Sequence, residues 1–264
     1  MLGRALKMAF WVTYDHLGKL LLANLFCALI LLVPGYVAYA AALRGDPAAA
    51  LLAGVGVAVL TLGVLLPVMA AGLAHLAKEL IDTRDGSLRT FFTGMRRYAG
   101  RAAGLGLVYV LAAGCLVTSV WFYASRLGAR IPWLGYALSA LALWGLVFAG
   151  LTALLCIPAL VQKGGGVWST VKLSGLLVLD NPLFCVGLAI HVAILGVFCL
   201  LPPVFLLLSM APVMVLLSSG YEMLARKYAA LEARGGAGTE PAFDEDTDDY
   251  LNRGFRDFLF PWKG

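Results

Sequence analysis

Charged side chains are what this chain of 264 residues has least of: Asp, Glu, Lys and Arg make up 13% of it, roughly half the share usual in a soluble domain. Histidine is nearly absent, with three copies, and the five cysteines form no C-x-x-C and no Cys–His pair at metal-ligand spacing. These gaps exclude a water-soluble enzyme, a disordered chain, a disulfide-stapled secreted domain and a metal or cofactor centre built on sequence motifs. What is present is apolar: 61% of the residues, with a mean hydropathy of +0.88. Too few polar residues remain to clothe a wet surface, so the lipid bilayer is the first expected partner.

The net charge of +5 invites an anionic partner, and its distribution answers that. Residues 225–264 hold six basic against eight acidic residues, and the remaining bases sit in short segments between apolar runs. That is the pattern of membrane flanks. A nucleic-acid partner is excluded, because it would need a basic face interleaved with aromatics on a soluble domain.

Stretches free of Asp, Glu, Lys and Arg run over 20–43, 47–77, 102–125, 131–162 and 181–221. A helix needs about 20 apolar residues to cross the bilayer, so the first four predict spans near 20–42, 49–76, 103–124 and 133–160. The fifth is too long for one span and is interrupted by Pro202 and Pro203, which break helix; it predicts a hairpin of spans near 183–201 and 204–224. The expected fold is an all-α integral membrane bundle of six helices. Seventeen Lys and Arg residues fall on one side of this layout and three (Arg44, Arg126, Arg130) on the other, which predicts cytoplasmic N- and C-termini. A competing reading takes Arg4 and Lys7, the apolar run from Leu20 and the triplet Ala38-Tyr39-Ala40 as a cleaved signal; against it, the leading region is long, holds Trp11, Tyr14 and Asp15, and the apolar run continues to Leu43.

The segments before spans one, three and five are amphipathic and predict interfacial helices near 2–18, 82–100 and 165–179. In the middle one, Leu88, Phe91, Phe92, Met95 and Tyr98 form a stripe opposite Arg89, Arg96 and Arg97; with Arg101, these arginines are expected to face lipid headgroups. Trp11-Val12-Thr13, Phe91-Phe92-Thr93 and Trp168-Ser169-Thr170 echo one another, and eleven residues after each threonine stand Asn24, Gly104 and Asn181. Three repeated units of interfacial helix plus hairpin are therefore expected.

The stretch Leu20-Leu21-Leu22-Ala23-Asn24-Leu25 followed by Leu32-Val33-Pro34-Gly35, and the passage from Gly72 through Phe91-Phe92-Thr93-Gly94-Met95-Arg96-Arg97-Tyr98 to Arg101, resemble the YesL-like family of uncharacterised bacterial membrane proteins. The likeness covers about the first 110 residues; the acidic tail ending Phe258-Leu259-Phe260-Pro261-Trp262 departs from it. The resemblance implies a small polytopic protein of the bacterial inner membrane acting beside a transporter, and brings no catalytic residues.

Chemistry is sparse. No charged residue falls inside a predicted span except Glu222 at the edge of the last, which argues against ion-coupled transport and proton pumping. The polar candidates are Asn24 and His191, each either bridging helices or contacting a substrate, and Asn181, which in Asp180-Asn181-Pro182 reads first as a helix start. Thr118, Ser119 and Thr152 complete the polar contacts a carrier of neutral or amphipathic solutes would use. Gly100-x-x-x-Gly104 matches a helix-packing motif. In the tail, Gly235-Gly236-Ala237-Gly238 is a flexible linker. Asp244-Glu245-Asp246-Thr247-Asp248-Asp249 lacks the Gly and Glu of a calcium loop. Tyr250, Leu251, Phe255, Phe258 and Leu259 form an amphipathic stretch that either docks on the protein's own cytoplasmic face or on a partner, with the acidic run offsetting the arginines around Arg96, or ends a solvated tail by touching the membrane. A non-enzymatic accessory or assembly protein, packing against other membrane proteins or itself, is the leading expectation; a permease is the alternative.

Overall fold

The computed structural model describes residues 1–43, 46–198, 210–233 and 249–253, and every regular element among them is helical. In chain order these are α1 (Leu2–Asp15), α2 (Leu17–Leu43), α3 (Pro47–Asp82), α4 (Leu88–Leu127), α5 (Pro132–Lys163), α6 (Val167–Asp180), α7 (Pro182–Phe198), α8 (Ala211–Ala233) and the single turn α9 (Asp249–Asn252). Helices α2, α3, α4 and α5 are long and apolar enough to cross a membrane, and α6 with α7, bent by 104° at Asn181, forms a fifth apolar pair.

Local sequence explains the starts and stops. Asp46 caps α3 by accepting from the N–H groups of Ala48 at 3.0 Å and Ala49 at 3.4 Å, with Pro47 at the first helical position. Ser87 and Thr90 cap α4 reciprocally, and Pro132 opens α5. Gly164 and Gly165, with φ of +70° and +124°, end α5 in a conformation that side chains rarely adopt. The expected Pro202-Pro203 turn, Cys199, the linker and the acidic run 244–248 lie outside the described residues. So does part of the span near 204–224, whose described portion begins at Met210.

The expected interfacial helix over 82–100 is not a separate element. Asp82 closes α3, and residues 88–100 are the first turns of α4, which at 40 residues is about 60 Å long, twice the hydrocarbon thickness. The reason is packing: Phe91, Met95 and Tyr98 of the apolar stripe meet α3, while Phe92 stays exposed beside Phe26 of α2. A Cβ on Gly72 would lie 2.5 Å from Met95 and 2.9 Å from the Phe91 carbonyl oxygen, and one on Gly94 would lie 2.6 Å from His75 Cβ. His75 also packs edge-on against Tyr98. Deeper along the same pair, a Cβ on Gly106 would lie 2.2 Å from the Gly63 carbonyl oxygen, at a π turn, Thr61–Leu65, in α3. Four absent side chains thus hold α3 and α4 together. By contrast, Gly100 faces open space and Gly104 meets only Val167, so the G-x-x-x-G match is not a close helix crossing.

The three amphipathic segments are not broken alike. The chain breaks three residues after Thr13, at His16; eleven after Thr170, at Asn181; and not at all after Thr93.

Burial is uneven along the helices. One apolar core joins α1, the first turns of α2, the Leu66–Asp82 part of α3, the start of α4, the end of α5, and α6, α7 and α8. At the other end no residue of Pro47–Leu60 is buried, and Tyr36, Leu52, Trp133 and Trp144 are each more than 70% exposed. The bundle is thus tightly packed at one end and open at the other. Both α1 and α9 belong to the packed end, so the described N- and C-terminal segments share one side.

Candidate functional site

Many of the polar side chains gather at the packed end, and two asparagines among them reach α8. Asn24, in the second turn of α2, is fully buried. Its Oδ1 accepts the backbone N–H of Met210 at 2.8 Å and of Ala211 at 3.3 Å. These are orphan donors of a helix N-terminus, and the next residue, Pro212, has no N–H to satisfy. Asn24 is therefore a cap supplied by another helix, placed about 10 Å along α2 from its start.

Near the other end of α8, Asn181 sits at the bend between α6 and α7. Its Oδ1 accepts from Lys227 Nζ at 2.8 Å, while its Nδ2 donates to the Tyr228 hydroxyl at 2.8 Å and to Asp180 at 3.2 Å. Tyr228 donates to the Asp180 carboxylate, and Lys227 lies 3.9 Å from the same group. Burial first, then donation to Asp180, raises the Tyr228 phenol above its ordinary range. Asn181 is thus more than the local helix cap its sequence context indicates. The two asparagines eleven residues after Thr13 and Thr170 tie down opposite ends of one helix.

The third polar tie is the C-terminal segment. Tyr250 and Leu251 are buried against α1 and the end of α3: Tyr250 Oη donates to the Leu80 carbonyl at 3.3 Å and lies 3.4 Å from His16 Nε2, and Lys7 donates to the Leu251 carbonyl. Arg253 pairs with Asp15 and lies over the rings of Trp11 and Tyr250, with Arg84 on Tyr250 as well. Residues 250–253 thus dock on the protein itself, beside Arg84, while the acidic run expected to offset the arginines around Arg96, and Phe255, Phe258 and Leu259, lie outside the described residues. Burial, then the nearby Lys19 charge, hold His16 below its ordinary value of 6.5; Asp15 opposes them, and Arg84 and Arg253 add to them.

Residues expected to contact a substrate are engaged otherwise. His191 donates from Nδ1 to the Gly187 carbonyl of its own helix at 2.8 Å. Ser119 donates to the Cys115 carbonyl at 2.8 Å, and Thr118 faces outward. Thr152 belongs to a chain absent from the sequence expectations: the Tyr109 hydroxyl lies 2.9 Å from Cys156 Sγ and donates to Thr152 Oγ1 at 3.1 Å, and Thr152 donates to the Ala149 carbonyl at 2.9 Å. No spacing rule joins Tyr109 to residues more than 40 positions away; only the α4–α5 crossing does. The arginines expected at headgroups, Arg89, Arg96, Arg97 and Arg101, are all exposed. Arg101 donates to the Gly165 carbonyl at 3.1 Å, while Arg89 stands about 18 Å further along α4.

Three clefts stand out among the described residues. An apolar one of about 400 Å³ lies between α2 and α3 around Pro34 and Val57. A second, of about 260 Å³, lies between α3, α4 and α5 and includes Tyr109 and Cys156. The third, of about 550 Å³, runs between α6 and α8 with charges on its rim. None contains Asn24, His191 or Asn181. Among the described residues no group of three His, Cys, Asp or Glu side chains converges to hold a metal. No protein-family model, no curated protein and no solved structure matches this chain.

Proposed function

We propose that this is a six-span accessory or assembly protein of the bacterial inner membrane, working through protein and lipid contacts and not through catalysis, with both termini in the cytoplasm. The observation that carries the reading is the uneven packing. The open halves of α2 to α5 present bulky apolar side chains with no partner helix over them among the described residues, while Asn24, Asn181 and Tyr250 are engaged in holding the packed end together. Large unpartnered apolar surface is what a protein offers to lipid and to other membrane helices. The shared side of α1 and α9 supports an even number of crossings, the last two being the spans expected near 183–201 and 204–224. The amphipathic stretches ahead of α2, of the membrane part of α4 and of α7 suit three repeated hairpins, and the basic bias around the packed end supports a cytoplasmic placement. The resemblance of the first 110 residues to the YesL-like family points the same way. The permease alternative finds less support, because Asn24 and His191 are each bonded to backbone and line none of the three clefts.

The test is a photoreactive amino acid placed at Trp144, 72% exposed on the open half of α5, in native membranes. A discrete protein adduct is the expected result. Lipid adducts alone, together with solute flux in reconstituted vesicles, would overturn the reading in favour of a carrier.

A further inference from the structure

We propose that the groove between α6 and α8 seats a phospholipid whose headgroup carries a primary ammonium, of the phosphatidylethanolamine type. This deepens the lipid-contact half of the reading above and rests on its membrane placement.

The depth is right for a headgroup. Lys163 ends α5 two residues before Gly165, whose carbonyl binds Arg101, the last charge before the charge-free run of α4. Helix α6 follows immediately and meets α7 at 104°, as a helix lying along the membrane surface meets one that enters it. The floor is apolar: Leu173, Leu176 and Leu177 from α6 face Tyr221 of α8, and Ala225 and Ala229 leave the space open. A space of about 550 Å³ accommodates a headgroup and the first part of its chains.

The rim charges select the headgroup. Lys163 lies at the Tyr221 end, since its neighbour Gln162 donates to the Ser218 carbonyl at 3.1 Å. Asp180 and Glu232 lie at the Tyr228 end, seven or more residues along α8, about 10 Å away. Lys163 and Glu232 have no ion-pair partner among the described residues. Asp180 is offset by Lys227, 3.9 Å away, which leaves Lys163 near the bilayer for a phosphate and Glu232 at the outer end of the groove for an ammonium, the order of charges along a zwitterionic headgroup. Carboxylates reward an ammonium with N–H donors over a quaternary choline, which has none. Glu232 also stands in the last turn of α8, where a carboxylate opposes the helix dipole; its presence there serves something other than the helix.

The experiment uses the full-length protein in nanodiscs containing equal amounts of phosphatidylethanolamine, phosphatidylcholine and phosphatidylglycerol with identical chains, followed by mild delipidation and native mass spectrometry. Ethanolamine lipid is expected to be retained about tenfold over choline lipid, the size of one charge-assisted hydrogen bond. Glu232→Gln should bring that ratio close to one. Lys163→Gln should lower retention of both lipids and leave the ratio unchanged. Both side chains are exposed, so neither variant should change the melting temperature. Preferential retention of phosphatidylglycerol, equal retention of all three lipids, or a ratio unmoved by Glu232→Gln overturns the proposal. Any of these would leave the adduct at Trp144 untouched, so the groove and the accessory reading fail separately.

Discussion

Asn24 accepts the backbone N–H of Met210 at 2.8 Å across 186 residues of sequence, which makes one carboxamide in the first transmembrane helix the cap of the last described long helix. The pair fixes where α8 begins and how deep it begins.

Removing that acceptor should cost stability without touching any cleft. Asn24→Ala strands two amides in a buried environment, a loss of about 1–3 kcal/mol, read as a fall of roughly 2–10 °C in melting temperature in detergent. An unchanged melting temperature would show that the cap contributes nothing.

The α3–α4 contact should discriminate sharply between glycines. At Gly106 a methyl group would collide with the Gly63 backbone, so Gly106→Ala should destabilise by about 1–3 kcal/mol. Gly100→Ala meets nothing within 4 Å and should stabilise by up to about 1 kcal/mol through helix propensity. Thermal unfolding of the two variants side by side measures the contrast.

The docked C-terminal segment should protect α1. Truncation at Gly235 removes Tyr250 and Leu251 from the core, and hydrogen exchange across Leu2–Asp15 should accelerate. Tyr250→Phe keeps the ring but loses its donation to the Leu80 carbonyl, for about 1 kcal/mol. Identical exchange in the full-length and truncated proteins would show that the docked segment leaves α1 unprotected.

His16 predicts the direction of pH dependence. Its folded value is held below 6.5, so the unfolded chain takes up a proton first as pH falls. Stability is complete above pH 6.5 and declines below it, until the lowered folded value is reached. His16→Gln should flatten this part of the profile. A wild-type curve that rises as pH drops below 6.5 would contradict the assignment.

Much of the architecture is legible in the sequence because hydrophobic length and turn chemistry are local properties. The first four spans, the stop at Gly164 and the bend beside Asn181-Pro182 can each be read from a dozen adjacent residues. The amphipathic stripe of residues 88–98 is legible as a stripe, but its partner is not: periodicity says that one face is apolar, not whether lipid or α3 covers it. Gly72 and Gly94 decide that, and each looks like any of the chain's 30 glycines until the helices are side by side. The polar ties are illegible for the same reason, since Asn24 and Met210, Tyr109 and Cys156, and Asn181 and Lys227 lie far apart in the chain.

Composition and hydrophobic length are enough to mark a membrane protein's character and the segments that can cross, because transfer of apolar length out of water depends on local composition alone. The helix arrangement is what closes the bundle at one end and opens it at the other, engages Asn24 and Asn181 in holding α8, and sets opposite charges on the rim of one groove. Those depend on which helix faces which, and inside a bilayer that choice is made by close packing and scattered hydrogen bonds.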